Sequence, residues 1–207
     1  MITTRKTYAI RLTPVLVIFL SLLLASCDLF GGNMPPSVKM VKAPANKQIY
    51  TIPEVGIADF ETLDPARVHD NAANRVTQML FTGLVQLNNK LQIAPQLAQS
   101  WHLEADGVSW TFHLRPHLTF SDGQQLTSAD VAYSLDRALQ PTTQSTTAPI
   151  YLGLLNNADQ LVAGKVATLI GTSLLTPDPN TLVIVTRKKA AYFPAMLTST
   201  CSFVVEK

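Results

Sequence analysis

The sequence is poor in the residues that usually carry catalysis or bind metal ions. It contains two cysteines and four histidines, with no glycine-rich phosphate loop, no Gly-x-Ser-x-Gly motif and no Cys/His ligand cluster. His113 and His117 are four residues apart, but Pro116 and the strand-like alternation before it exclude the shared helical face that a metal-binding pair needs. The sequence therefore favours a protein that is not an enzyme and that uses no metal or other cofactor.

The sequence also lacks an excess of charge. The formal net charge is +2, but three of the sixteen basic residues and none of the fourteen acidic residues precede Cys27. The remainder carries thirteen basic and fourteen acidic side chains, a net charge of −1. Nucleic-acid binding requires a basic face or cluster, so the composition predicts no nucleic-acid partner.

Residues 1–27 have the layout of an export signal, because basic residues precede an uncharged apolar run from Leu12 to Ala25. The run is shorter than the roughly 20 residues that a spanning helix needs, so a retained transmembrane anchor is the weaker interpretation. It ends in Leu-Ala-Ser-Cys at residues 24–27, which resembles the lipobox of bacterial lipoproteins. This motif predicts lipid attachment at Cys27; the alternative is a plain signal cleaved nearby, which leaves Cys27 as a free thiol.

Residues 28–48 contain paired glycines and prolines without apolar periodicity, which predicts a flexible tether. Ordered structure is expected from about Ile49, first as a strand that ends in a turn at Asp64-Pro65. A helix should follow with Asp70 or Asn71 as its N-cap and should end or bend at Gly83. Its predicted core-facing residues recur at helical spacing: Ala73, Val76, Leu80 and Leu84.

Residues 110–139 predict a strand, a turn and a helix in close succession. Apolar and polar side chains alternate over residues 110–114, the pattern of a half-buried strand, and a Ser-Asp-Gly turn follows at 121–123. Thr127 and Asp130 have the spacing of a capping box, and Pro141 prevents the helix from continuing. These features indicate architecture rather than chemistry.

The rest of the chain predicts further alternation of short helices and strands. The pattern indicates a helix within 156–165, a turn and strand at 178–187, a helical turn interrupted by Pro194, and a final strand at 202–207. The fold class is therefore mixed α/β.

Six stretches, in this order, carry a family resemblance: TLDPA (62–66), LFTGLV (80–85), APQLAQSW (94–101), the 110–139 unit, VAGK (162–165) and TPDPNTLVIVTR (176–187). Together they resemble the extracellular solute-binding proteins of the peptide/nickel class, family 5, which feed ABC importers. YLGLLNNADQLVAGK (151–165) looks most like the oligopeptide-binding members. The resemblance covers about Ile49 to Lys207.

The resemblance implies a type II periplasmic-binding-protein-like fold, in which two lobes close on a ligand by hinge motion. Residues 49–81 would begin the first large lobe, and residues 82–207 would form the small lobe. Because family members are about twice as long or longer, the chain is interpreted as an N-terminal fragment or one product of a split gene.

The function implied is that of a lipid-anchored substrate-binding protein that captures oligopeptides outside the cytoplasmic membrane, or in the periplasm, and delivers them to ABC permease subunits. In peptide-binding relatives the segment after the LDP turn contacts the ligand backbone, which corresponds here to His69, Asp70 and Asn71. The alternative is that Asp70 and Asn71 only cap the following helix. Two other functions stay open: a non-transporting surface lipoprotein derived from this family, and a nickel or haem carrier.

Overall fold

The computed structural model describes residues 59–207, together with Pro44 and Lys47. The predicted export signal, Cys27 and the strand predicted from Ile49 lie outside these residues, as does the tether apart from Pro44 and Lys47. Between those two, the Lys47 N–H donates to the Pro44 carbonyl at 2.8 Å. No helix in the described part of the chain combines the length and the apolar character that crossing a membrane would need.

Six strands and five α-helices are assigned within residues 59–207. They are α1 (Asn71–Leu80), β1 (Val85–Leu87), β2 (Ile93–Pro95), β3 (Ala98–Leu103), β4 (Ser109–Leu114), α2 (Ser128–Leu139), α3 (Ala148–Tyr151), α4 (Ala158–Val162), β5 (Leu174–Asp178), β6 (Thr181–Val185) and α5 (Phe193–Met196). Short 3₁₀ turns lie at Pro141–Thr143 and Thr200–Ser202. The mixture of helices and antiparallel sheet agrees with the α/β composition predicted from the sequence.

The centre of the fold is an antiparallel sheet with strand order β3-β4-β6-β5, beside a two-stranded β1-β2 hairpin. The predicted alternation in β4 is confirmed, since Trp110 and Phe112 lie on its buried face opposite Ile184 and Leu182 of β6. Helix α2 packs on this face of β5 and β6. The sheet and α2 therefore enclose one core.

Helix α2 begins and ends where the sequence predicts. The capping box is present, with the Asp130 carboxylate accepting from the Thr127 N–H at 2.8 Å, and the same carboxylate also accepts from the Thr127 hydroxyl at 2.8 Å. The helix stops at Leu139, two residues before Pro141. The apolar residues that recur at helical spacing along it are buried: Val131, Leu135 and Ala138.

The predicted core face of α1 is partly wrong. Leu80 is 60% exposed, and Leu84 is buried but lies beyond the helix. Gly83 does not end the helix, because the chain already leaves it at Phe81. A Cβ on Gly83 would lie 3.0 Å from the Phe203 ring, so a larger residue there would require the ring to shift by a few tenths of an ångström. The residues of α1 that are buried are small: Ala72, Ala73 and Thr77.

Two expectations for the C-terminal part are also wrong. Pro194 is the second residue of α5, where the helix needs no N–H donor, so it is accommodated in the first turn and does not interrupt the helix. Residues 203–207 form no strand. Their hydrogen bonds go elsewhere, since Val204 N–H donates to the Thr82 carbonyl and Val205 N–H to the Ser134 hydroxyl, both at 2.9 Å. The last residues thereby pack against α2 instead of joining a sheet.

Candidate ligand-binding site

The predicted turn at Asp64-Pro65 is present and positions the segment that leads to α1. The Asp64 carbonyl accepts from the N–H groups of Arg67 and Val68 at 2.9 and 3.0 Å, and its carboxylate accepts from Ala66 N–H at 3.1 Å. Ala66 and Val68 are 3% and 2% exposed. The turn is therefore fixed both by its own backbone and by the core beneath it.

A bidentate ion pair joins this turn to α2. The Arg137 guanidinium donates to the two carboxylate oxygens of Asp64 at 3.0 and 2.5 Å, and the two side chains are only 30% and 23% exposed. Partial burial raises the pKa of Asp64, but the hydrogen bond and charge of Arg137 outweigh it and hold that pKa below its ordinary value of 3.8. The pair connects residues 73 positions apart.

The three predicted ligand-contacting residues lie at the N-terminus of α1. Asp70 is the N-cap, and its carboxylate accepts from Ala73 N–H at 2.7 Å, so the capping role is confirmed. Asn71 is the first helical residue and is exposed. The His69 imidazole is half exposed, with Nε2 3.4 Å from a Glu61 carboxylate oxygen.

This arrangement can hydrogen-bond an extended polar chain. The imidazole of His69 and the amide of Asn71 can each donate and accept, as the peptide backbone does. Because Asp70 is engaged by the helix, its direct contact with a ligand is the least supported of the three. Ligand contact by any of these residues stays a prediction.

Sequence reasoning missed an open groove beside the Asp64–Arg137 pair. It has a volume of about 420 Å³ and is lined by Leu63, Asp64, Pro65, Phe81, Tyr133, Arg137, Val205 and Glu206. His69, Asp70 and Asn71 are not among its lining residues. The four-residue spacing of Tyr133 and Arg137 places both on one face of α2, and this part of the groove could be predicted from the sequence. The other lining residues are far from α2 in the sequence.

Sequence reasoning also missed Asp136, a carboxylate that is 6% exposed in α2. One oxygen accepts from Leu169 N–H at 2.6 Å and from the Thr168 hydroxyl at 2.8 Å, and the other accepts from the Gln140 amide at 2.9 Å. All of these donors are neutral. Asp136 is therefore a fixed structural acceptor that holds the 168–169 backbone on α2.

In the structure His113 lies beside His102 and not beside His117. The rings of His102 and His113 stack at 5.9 Å between neighbouring strands, and His102 Nε2 lies 2.9 Å from a Glu104 carboxylate oxygen. His117 is exposed in the following loop. Within the described residues there is no group of three or more Asp, Glu, His or Cys side chains arranged to hold a metal ion.

The free thiol of Cys201 is buried, which raises its pKa and suits a packing role.

The sequence model of a known protein family matches more than half of this chain. Residues 92–207 match the sequence model of the bacterial extracellular solute-binding proteins, family 5 Middle.

Curated relatives are similar over nearly the whole chain. The probable deoxycholate-binding periplasmic protein YgiS of Escherichia coli (strain K12) is 32% identical over 183 residues, which cover 87% of this chain and 33% of that protein. The periplasmic oligopeptide-binding protein OppA of Salmonella typhimurium is 30% identical over 180 residues, covering 86% and 32%. The chain thus spans about a third of the length of these relatives.

Solved structures agree with the sequence matches. The murein tripeptide-binding protein MppA of Escherichia coli superposes with a TM-score of 0.65 at 32% identity, over 70% of this chain and 28% of that one. The OppA of Haemophilus influenzae, in complex with RPPGFSPFR, gives a TM-score of 0.66 at 25% identity, over 72% and 29%. These likenesses confirm the predicted type II periplasmic-binding-protein fold.

Proposed function

Because this chain belongs to the bacterial extracellular solute-binding proteins of family 5, we propose that it is a peptide-binding component of an ABC importer and supplies one wall of the ligand cleft. The observation that carries the proposal is the 30% identity to an oligopeptide-binding protein over 86% of the chain, which includes the segment before α1. Residues 49–81 begin the first large lobe and residues 82–207 form the small lobe. The protein acts as a carrier and not as an enzyme.

His69 and Asn71 are the proposed ligand contacts. Both are exposed at the end of a turn that the Asp64–Arg137 pair and the core hold in place. Rigid placement favours binding because fewer groups lose freedom when the ligand arrives. A backbone-directed contact of this kind accepts many peptide sequences.

The proposed location is the outer face of the cytoplasmic membrane or the periplasm, with a lipid anchor at Cys27 and with permease subunits as partners. The support for anchoring is the Leu-Ala-Ser-Cys motif behind a basic and apolar leader. Metabolic labelling with a palmitate analogue tests this part. Label should appear on the wild-type chain and be lost in Cys27→Ser; equal labelling of both would contradict the anchor.

The binding role is tested in cells of the producing organism with a photo-reactive residue placed at position 71 and, as the control, at the exposed position 89 on the β1-β2 hairpin. Biotinylated short peptides should crosslink at position 71 only, and unlabelled peptide should compete. Deoxycholate is added in a separate arm because one relative is named for it. Competition by deoxycholate but not by peptide would assign the site to a bile acid, and equal labelling at both positions would refute the contact.

A further inference from the structure

A small pocket lies between α3, α4 and the end of β6. Its volume is about 290 Å³, and this α4 pocket is lined by Pro149, Gly153, Ala158, Asp159, Val162 and Arg187. Four of the six lining residues are apolar or glycine. The other two carry opposite charges. Within residues 59–207, neither the Asp159 carboxylate nor the Arg187 guanidinium is paired by a hydrogen bond or an ion pair with another side chain.

The walls of the α4 pocket are fixed by the backbone. Arg187 N–H donates to the Leu154 carbonyl at 2.9 Å, and Ala158 N–H donates to the Leu155 carbonyl at 3.1 Å. Gly153 has no room for a side chain, because a Cβ would lie 2.2 Å from the Pro149 carbonyl oxygen. Leu155 is fully buried beneath this region. The backbone that forms the pocket is therefore fixed, while the Asp159 and Arg187 side chains at its rim are exposed.

Two opposite charges beside an apolar surface select for a particular class of ligand. A ligand with one charge would satisfy only one of Asp159 and Arg187, whereas a zwitterion offers an ammonium to the carboxylate and a carboxylate to the guanidinium. The small volume, near the lower limit of about 300 Å³ for ligand pockets, restricts the ligand to a few heavy atoms. Pro149, Ala158 and Val162 favour an aliphatic side chain.

We propose that the α4 pocket binds a free amino acid with an aliphatic side chain, with Asp159 contacting its ammonium group and Arg187 its carboxylate. The site is separate from the residues assigned to peptide contact, and the inference does not depend on the proposed function. Because the pocket is open, we expect weak binding, on the order of millimolar.

The test is an NMR titration of the 207-residue chain with L-leucine, N-acetyl-L-leucine, which lacks the ammonium, and L-leucinamide, which lacks the carboxylate. L-Leucine should give saturable shifts at the amides of Gly153 and Val162, and each analogue should bind more weakly, by up to about fivefold, the factor for about 1 kcal/mol.

The variants assign each charge. Asp159→Asn should no longer distinguish L-leucine from N-acetyl-L-leucine, and Arg187→Gln should no longer distinguish L-leucine from L-leucinamide. Lys188→Gln, which removes a neighbouring exposed cation outside the pocket lining, should bind like the wild type. Absence of saturable shifts, or equal affinity of the wild type for all three compounds, would overturn the proposal and leave the peptide-binding role untouched.

Discussion

Two regions of the molecule differ in how far their apolar side chains are buried. The first is the four-stranded sheet with α2, and the second is the segment from residue 59 to the end of α1. In the first region the large apolar residues are buried, and the alternation and helix cap agree with the packing. In the second region Met79 and Leu80 are 71% and 60% exposed, and an ion pair between Asp64 and Arg137 joins the segment to α2. The first region therefore carries the stability, and the second presents groups outward. The predictions below test this division.

The largest effect is expected in the sheet. Trp110 is 6% exposed, and Trp110→Ala should lower the free energy of unfolding by about 3–5 kcal/mol in denaturant titrations. Trp110→Phe is the matched control. The buried indole Nε1 has no hydrogen-bond partner within residues 59–207, so its removal leaves no acceptor unpaired, and we expect a loss of at most about 1.5 kcal/mol. A loss under about 1 kcal/mol for alanine would place the indole in solvent.

The ion pair should come next. Asp64→Asn removes the charge that Arg137 binds and should destabilise the chain at neutral pH by about 1.5–3 kcal/mol, the range for hydrogen bonds to charged groups.

The same variant has a pH signature. Because the pKa of Asp64 is lower in the folded chain than its ordinary value of 3.8, the pair contributes fully above that value. Its contribution is lost as the pH falls from 3.8 through the lower folded pKa, since protonation then opposes folding. The difference in unfolding free energy between wild type and Asp64→Asn should therefore shrink below pH 3.8. A difference that is constant with pH would show that the ion pair does not contribute to stability.

A smaller effect is expected at the helix cap. Asp70→Ala removes the acceptor for Ala73 N–H and should cost about 1 kcal/mol of stability, while Asp70→Ser restores most of it. If Asp70 also contacts peptide, Asp70→Ser should keep the stability but lose the crosslinking at position 71. Retention of both would assign Asp70 to the cap alone.

The smallest effect is expected on the outer face of α1. Leu80→Ser should change the unfolding free energy by less than about 0.5 kcal/mol, because this side chain is mostly exposed. A loss above about 1 kcal/mol would show that Leu80 is covered in solution and would weaken the contrast between the regions.

The same contrast explains what the sequence predicts well. The strand β4 and helix α2 are coded by local signals: alternation around Phe112, the Thr127–Asp130 box and the stop before Pro141. Apolar spacing alone does not determine which face of α1 is covered. It predicts that Leu80 is buried, whereas small residues form that contact.

The candidate site was less predictable because its support is not local. The partner of Asp64 lies 73 residues away, and the C-terminal residues hydrogen-bond to Ser134 and Thr82 rather than to a strand. β-branched residues such as Val204 and Val205 favour a strand only where a sheet edge is available. The cap, by contrast, is a local feature: the sequence predicts it at Asp70 or Asn71, and the structure has it at Asp70.

The central proposal is that residues 59–207 form a stable scaffold and contribute one wall of a peptide site. Calorimetry of the 207-residue chain with a mixed library of short peptides tests it most directly. Hydrogen bonds from His69 and Asn71 contribute about 0.5–1.5 kcal/mol each, which does not offset the several kcal/mol lost when a flexible peptide is immobilised. We expect no saturable heat at micromolar peptide concentrations. A saturable micromolar site that is lost in His69→Ala or Asn71→Ala would show that one wall binds peptide by itself and would contradict the account.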